Sequence, residues 1–328
     1  MRDSECLTFE EGMLQVQDEQ AALSSLVLYA LSAPSTQETR IFRQQWPALA
    51  LERRRKIITT LAESAEANFE LDFNALFRIA MEDKDEQVRT VSIEGLWEDE
   101  EVTLVAPLVH ILRHDPAASA RAAAASSLGR FVLIPELEEL DERHAKLIHG
   151  ALLEAIDDRA ELLEVRRRAV ESIAYWDEPR VHDIIGAAYQ EPDELMRISA
   201  VFAMGRSADT VWSKIVEEEL HSRNPAMRYE AARACGELEA KKAVPALIRL
   251  VSDPDREVQF AAIGALGQIG GPRARQVLER CVRSPDEAMR MAAEDAGAEL
   301  ALGRQTPDML VLGPDAESGD DEDMENAD

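Results

Sequence analysis

Large rings are scarce in this sequence: Phe, Trp and Tyr together make 5% of 328 residues, although 46% of the chain is hydrophobic. A chain that buries Ala, Leu and Val in place of rings suits packed helices better than strands, which favour aromatic and β-branched residues. Three cysteines are too few for a disulfide framework, and an odd number cannot all pair. The longest apolar run, near Ala22 to Ala33, is too short and too interrupted to span a bilayer, so no membrane partner is expected. The opening Met1-Arg2-Asp3-Ser4-Glu5 lacks the apolar centre of a secretory signal. Together these features predict a cytoplasmic protein with reduced thiols.

Positive charge is also short. Lys and Arg number 36 against 64 Asp and Glu, a formal net charge of −28, and the acids are spread along the whole chain. Such a field repels nucleic acid, which is therefore not expected as a partner. The only basic runs, Arg53-Arg54-Arg55-Lys56 and Arg166-Arg167-Arg168, read as solvated first turns of helices. A Gly-rich phosphate loop and a nucleophile elbow are missing as well. His110 and His114 stand four apart on one helical face beside Asp115, a spacing that metal ligands use. Near a helix C-terminus, however, the dipole favours histidines without any metal, and His144, His149, His182 and His221 are scattered. No catalytic residue, metal or cofactor is expected.

What the sequence does hold is a recurring unit, clearest in DPDREVQFAAIGALGQIG, Asp253 to Gly270. Asp253-Pro254-Asp255 makes a turn with Asp255 as N-cap, and Val258, Ala262, Ile263, Ala265, Leu266 and Ile269 follow at helical spacing. Gly270-Gly271 ends the helix, as residues that tolerate the left-handed conformation do. With Gln259 as the reference, Arg89, Arg121, Arg166, Arg197, Arg228 and Arg290 occupy the equivalent place and Arg54 is a weaker match. From Arg166 onward each step is 31 residues. Three places later stands a small residue: Ser92, Ala124, Ala169, Ala200, Ala231, Ala262 and Ala293. Four further come Leu96, Leu128, Ile173, Met204, Cys235 and Leu266, with Gly297 breaking the row. Gly129, Gly205, Gly236 and Gly267 follow directly.

A fixed period near 30 residues with two short helices per unit predicts an all-α fold, an α-solenoid of about eight helix pairs whose neighbours bury one another's apolar faces. The Asp-to-Arg spacing of six at Asp83 and Arg89 and at Asp115 and Arg121, the Val-Arg or Met-Arg pair and the Ala-Leu-Gly ending resemble the HEAT-repeat family, specifically its short-repeat, bilin-lyase-like branch. The pattern covers roughly residues 40 to 302, with Glu191, Ser222 and Ser284 in place of the Asp and Gln259 in place of the Arg. The resemblance implies a fold and is nearly silent on activity. HEAT-like deoxyhypusine hydroxylases bind iron through repeated His-Glu pairs, and this sequence has none. HEAT-like DNA glycosylases need a basic inner surface, opposite in sign to this chain. No residue can be carried over from the bilin lyases as catalytic.

Along the chain, residues 1–34 read as an N-terminal helical cap with apolar stretches at Phe9 to Val16 and Ala21 to Leu31. Ser35 with Glu38 then makes a capping box that opens the repeat array, residues 35–302. The step from Arg121 to Arg166 is 45 residues, and its surplus is read as a surface loop over Phe131 to His144. Cys235 and Cys281 fall on apolar positions as small core residues, and Cys6 lies in the N-terminal segment. Residues 303–328 are expected to be a disordered acidic tail.

Function is sought on the face turned from the core. Taking the small residue as the centre of the buried arc, positions one and five after the reference lie about 160° away around the helix. In the HEAT family this second helix lines the concave side. Position one reads Thr90, Ala122, Arg167, Ile198, Tyr229, Phe260 and Met291; position five reads Glu94, Ser126, Glu171, Phe202, Arg233, Gly264 and Asp295. Position nine adds Tyr175 and Arg206. Ile198, Phe202, Arg206, Tyr229, Arg233 and Phe260 thus form an expected protein-binding stripe across three consecutive repeats, rich in the aromatics and arginines of binding hot spots. The expected function is a non-catalytic scaffold that grips a protein segment in the concave groove, its acidic exterior favouring basic or neutral clients. A bilin-lyase-like enzyme or chromophore carrier, and an acidic chaperone for a basic client, are the alternatives.

Overall fold

The structure, a computed structural model, describes residues 7–132 and 142–302. The expectations for Cys6, for residues 303–328 and for positions 133–141 of the surplus segment lie outside the described residues. The described residues are all-α, without a strand among them, and the chain divides into two compact units, Met1–Ser207 and Ala208–Asp328.

The first unit begins with α1 (Phe9–Gln17) and α2 (Ser25–Leu31). Helix pairs follow: α3 (Thr36–Gln45) with α4 (Leu51–Ala67), α5 (Asn74–Ala80) with α6 (Glu86–Gly95), and α7 (Val105–His114) with α8 (Ala118–Arg130). The unit continues with α9 (Glu142–Asp157) and α10 (Leu163–Ile173), then α11 (Pro179–Tyr189) and α12 (Glu194–Arg206). Its second helices stack in order, α4 on α6, α6 on α8, α8 on α10 and α10 on α12. The second unit pairs α13 (Ser213–Glu219) with α14 (Pro225–Glu237), α15 (Val244–Leu250) with α16 (Arg256–Ile269), and α17 (Pro272–Cys281) with α18 (Glu287–Leu302). There α14 packs on α16 and α16 on α18. This is α-solenoid packing, in which each repeat buries its apolar face against its neighbours.

Local chemistry sets the helix ends. Ser35 Oγ accepts the Glu38 N–H while the Glu38 carboxylate accepts the Ser35 N–H, the expected capping box. Asp255 caps α16 by accepting the N–H groups of Glu257 and Val258. Beyond α16 the chain turns at Gly270, φ 68°, and Gly271, φ 93°, where a side chain would be strained. The rows read from the sequence form the core: Ala124, Ala169, Ala200, Ala231 and Ala262 are fully buried, as are Leu96, Leu128, Ile173, Met204, Cys235 and Leu266. The glycine after this row has a reason in the next repeat. A Cβ at Gly267 would lie 2.7 Å from the Ala296 carbonyl oxygen of α18, and one at Gly236 would lie 2.9 Å from the Ala265 Cα of α16. Small residues let these backbones approach, and added bulk at such a site costs about 1–3 kcal/mol.

The reference arginines join successive repeats, in a way the spacing alone does not show. Arg89 Nε and Nη2 donate to both carboxylate oxygens of Asp115 at 2.7 Å, while Nη1 donates to the Asp83 carbonyl at 2.9 Å. Arg121 holds the Glu161 carboxylate and the Asp115 carbonyl in the same manner. Arg228 repeats it with the Asp253 carboxylate and the Ser222 carbonyl. Arg54 pairs with Asp83 and Arg166 with Glu191. For Arg89, Arg121 and Arg228 the residue six places before gives its carbonyl, and for all five arginines the carboxylate comes from the turn of the following repeat. Two departures from the pattern now become one. Gln259 Nε2 still donates to the Asp253 carbonyl at 2.5 Å, but it has no cation for the next turn, where Ser284 replaces the acid.

Two expectations are corrected. Arg53 is not a solvated first-turn residue: it is 4% exposed, and its Nε, Nη1 and Nη2 donate to the carbonyls of Val16, Ala21 and Gln15. The last carbonyls of α1 have no partner within their own helix, and this guanidinium supplies donors. The expected loop over Phe131 to His144 also gives way at its end, because Glu142, Arg143 and His144 already belong to α9. Ile148, Leu152 and Ile156 at four-residue spacing face its core side, so an amphipathic helix, not a loop, best buries them.

Candidate functional site

The face opposite the Ala and Leu rows carries the sequence-derived stripe. In the first unit, Thr90 and Glu94 of α6 and Ala122 and Ser126 of α8 line one cavity of about 510 Å³. Positions one and five of neighbouring repeats thus meet there, as the helical wheel predicts. Trp97, Arg130 and Arg168 line the same cavity. Burial holds the Glu94 carboxyl above its usual range, against the opposing charge of Arg168. On Arg168 burial acts downward, yet Glu171 and Glu164 outweigh it and raise the guanidinium further.

One repeat later the pattern closes up. Arg167 Nε donates to Ser199 Oγ at 3.0 Å and Ser199 Oγ donates to Glu171 Oε1 at 2.5 Å, so α10 and α12 are tied by a polar network. Ile198 is 8% exposed and belongs to the core, not to an open surface. Phe202 stands one turn later on the same face. Phe202 itself is half-buried, with the Arg206 guanidinium 5.2 Å from its ring centre.

In the second unit Tyr229 and Arg233 lie on α14 and Phe260 on α16. The Arg233 guanidinium lies 5.8 Å from the Tyr229 ring centre and also approaches Glu230 and Glu237 at 3.5 and 3.6 Å. Phe260 is covered by Arg256 at 5.4 Å, and Arg256 is in turn paired with Asp286 at 3.0 Å. Of the six stripe residues, the structure joins Phe202 to Arg206 and Tyr229 to Arg233, gives Phe260 a different arginine and buries Ile198. Arg256 was missed, although it stands one helical turn before Phe260. Arg130 was missed too, although it occupies position nine in its repeat, the place of Arg206 in α12.

Elsewhere chemistry is sparse. His110 and His114 are exposed, with ring centres 4.8 Å apart, and no cluster of three or more His, Cys, Asp or Glu able to hold a metal occurs among the described residues. Cys235 and Cys281 are buried. Burial, reinforced by the charge of Glu217, pushes the Cys235 thiol up to about 12, far from the range of a reactive thiolate. No helix among the described residues is long and apolar enough to cross a membrane.

A known family model agrees with this architecture over part of the chain. Residues 213–297 match the model of HEAT repeats. No curated protein matches the sequence. Among solved structures, human deoxyhypusine hydroxylase is similar over 81% of this chain and 96% of its own, at 19% identity and a TM-score of 0.36. A designed armadillo repeat protein covers 60% of this chain over 99% of its own, at 17% identity and a TM-score of 0.38. An engineered protein covers 89% over 88% of its own, at 17% identity and a TM-score of 0.40. Residues 213–297 thus match HEAT repeats, and the stacked helix pairs of the other described residues have the same α-solenoid packing.

Proposed function

We propose that the chain is a non-catalytic scaffold whose second-helix faces hold a segment of a partner protein. Repeat solenoids of this kind characteristically offer extended binding surfaces. The observation that carries the reading is the recurrence, on three second helices, of an arginine one turn away from a half-buried aromatic and stacked on it: Arg206 on Phe202, Arg233 on Tyr229 and Arg256 on Phe260. A guanidinium over a ring presents a flat, amphipathic surface at low entropic cost, the chemistry of binding hot spots. The surrounding acids favour basic or neutral segments beside these contacts.

Partner capture from the native host compares wild type with Tyr229→Ala and Phe202→Ala. Each variant is expected to weaken capture by about 2 kcal/mol or more while changing stability by about 1 kcal/mol or less. Undiminished capture by both variants would rule the stripe out as a contact surface. A stability loss of about 3 kcal/mol would instead assign these rings to the core.

A further inference from the structure

Arg130, the last residue of α8, has Nε and Nη2 shielded from solvent and without a hydrogen-bond acceptor among the described residues. This is the edge by which Arg78, Arg89, Arg121 and Arg228 each take a carboxylate. The Arg130 guanidinium lies 5.2 Å from the Phe131 ring centre. Burial pushes its pKa down to about 10, and the acids that oppose this, Asp99 and Glu100, act through charge. Asp99 is already held on both oxygens by Arg78. A buried guanidinium edge without an acceptor is costly, and it becomes favourable when an acceptor arrives.

The surroundings say which acceptor fits. Arg130 lines the cavity of about 510 Å³ together with Ser127, whose Oγ is likewise buried without a partner. Trp97 lines it as well, 42% exposed, and meets Phe69 edge-on at 6.4 Å; Phe69 is 76% exposed. An exposed aromatic pair therefore adjoins an unsatisfied cationic edge. Glu94 and Glu164 also line the cavity. Glu164 is engaged by Arg167 and Arg168, whereas Glu94 is a carboxyl raised by burial. A dianionic phosphate would be repelled by both acids, while a single carboxylate satisfies the arginine with half the charge.

We propose that this cavity receives an Asp or Glu side chain of a partner peptide, flanked by a large apolar residue. The Arg130 and Ser127 side chains rotate within the cavity so that Nε, Nη2 and the hydroxyl meet the carboxylate, and the apolar neighbour packs on Trp97 and Phe69. This deepens the scaffold reading and rests on it, but through residues separate from Phe202, Tyr229 and Phe260.

The test follows the arginine Nε–H resonances of the nitrogen-labelled full chain during titration with N-acetyl-Leu-Glu-Leu-amide. The glutamine and phosphoserine counterparts serve as comparisons. The glutamate peptide is expected to move the Arg130 resonance and to bind at least about tenfold more tightly than the glutamine peptide, as one charge-assisted hydrogen-bond pair warrants. Arg130→Gln should abolish that preference, Ser127→Ala should reduce it, and Phe202→Ala should leave it intact. If Arg130→Gln fails to fold, Ser127→Ala and the peptide comparison make the same distinction. Equal binding of the glutamate and glutamine peptides overturns the proposal, as does tighter binding of the phosphoserine peptide. So does an unmoved Arg130 resonance at peptide concentrations of about 10 mM. Failure here alongside loss of partner capture by Tyr229→Ala sinks the carboxylate site alone; intact capture by that variant, with the glutamate preference present, sinks the stripe alone.

Discussion

Arg53→Met is expected to lower stability by about 3–5 kcal/mol, because one buried cation is removed together with three charge-assisted hydrogen bonds. Arg53 projects from the first turn of α4 and is 4% exposed. Its partners are the carbonyls of Gln15 and Val16 in the last turn of α1 and of Ala21 just beyond. Methionine replaces much of the side-chain volume and none of the donors, so the loss reports polar satisfaction more than packing. The effect should be local. Amides of residues 9–17 are expected to exchange faster with solvent in the variant, while those of α14 and α16 keep their protection. Lys56→Met, in the same basic run but exposed, should stay within about 0.5 kcal/mol of wild type. Equal effects of the two changes would return Arg53 to the surface role that its run of basic neighbours suggests.

Arg228→Met should cost about 2–4 kcal/mol at neutral pH, since it strands the Asp253 carboxylate, which is 8% exposed as a residue. On an Asp253→Asn background the same change should cost distinctly less, because no charge is left unpaired. Acid provides an independent check. Burial pushes the Asp253 carboxyl up, but the Arg228 hydrogen bonds, the Asp255 N–H and the Arg228 charge outweigh it and hold the folded pKa below its ordinary value. A depressed carboxyl pKa contributes stability that is present above the unfolded value near about 4 and lost as pH falls through the folded value. Without Arg228 only the Asp255 N–H still opposes burial and the carboxyl pKa rises, so the variant loses less of this contribution in acid. The stability gap between wild type and Arg228→Met should therefore narrow from pH 7 toward pH 3, values at which urea unfolding can be compared at about the same ionic strength. A gap that stays constant, or a double variant as unstable as the single one, would show that the ion pair is not what joins these repeats.

The repeat was legible because its signals are local and recur in phase. Asp255 caps, Ala262 and Leu266 bury and Gly270 stops the helix, each through chemistry within a turn or two of itself. The wheel also placed Thr90, Glu94, Ala122 and Ser126 on one face, and the structure opens a cavity there. What it could not rank was exposure: Ile198 shares the face of Phe202, and only the packing of the folded chain leaves the first buried and the second half-buried.

By itself, then, the sequence determined the helices, their period, the buried row and the all-α solenoid, since each depends on spacing along one helix. The tertiary structure alone decided partners. Arg89 finds Asp115, Arg228 finds Asp253 and Arg53 finds the end of α1, all across 25 or more residues. An arginine reads the same in sequence whether it caps a helix, clamps a repeat, stacks on a ring or, like Arg130, keeps its Nε and Nη2 without an acceptor among the described residues. Its long side chain can reach any of these, and which one it meets is set by the packing of neighbouring helices, not by the residues beside it.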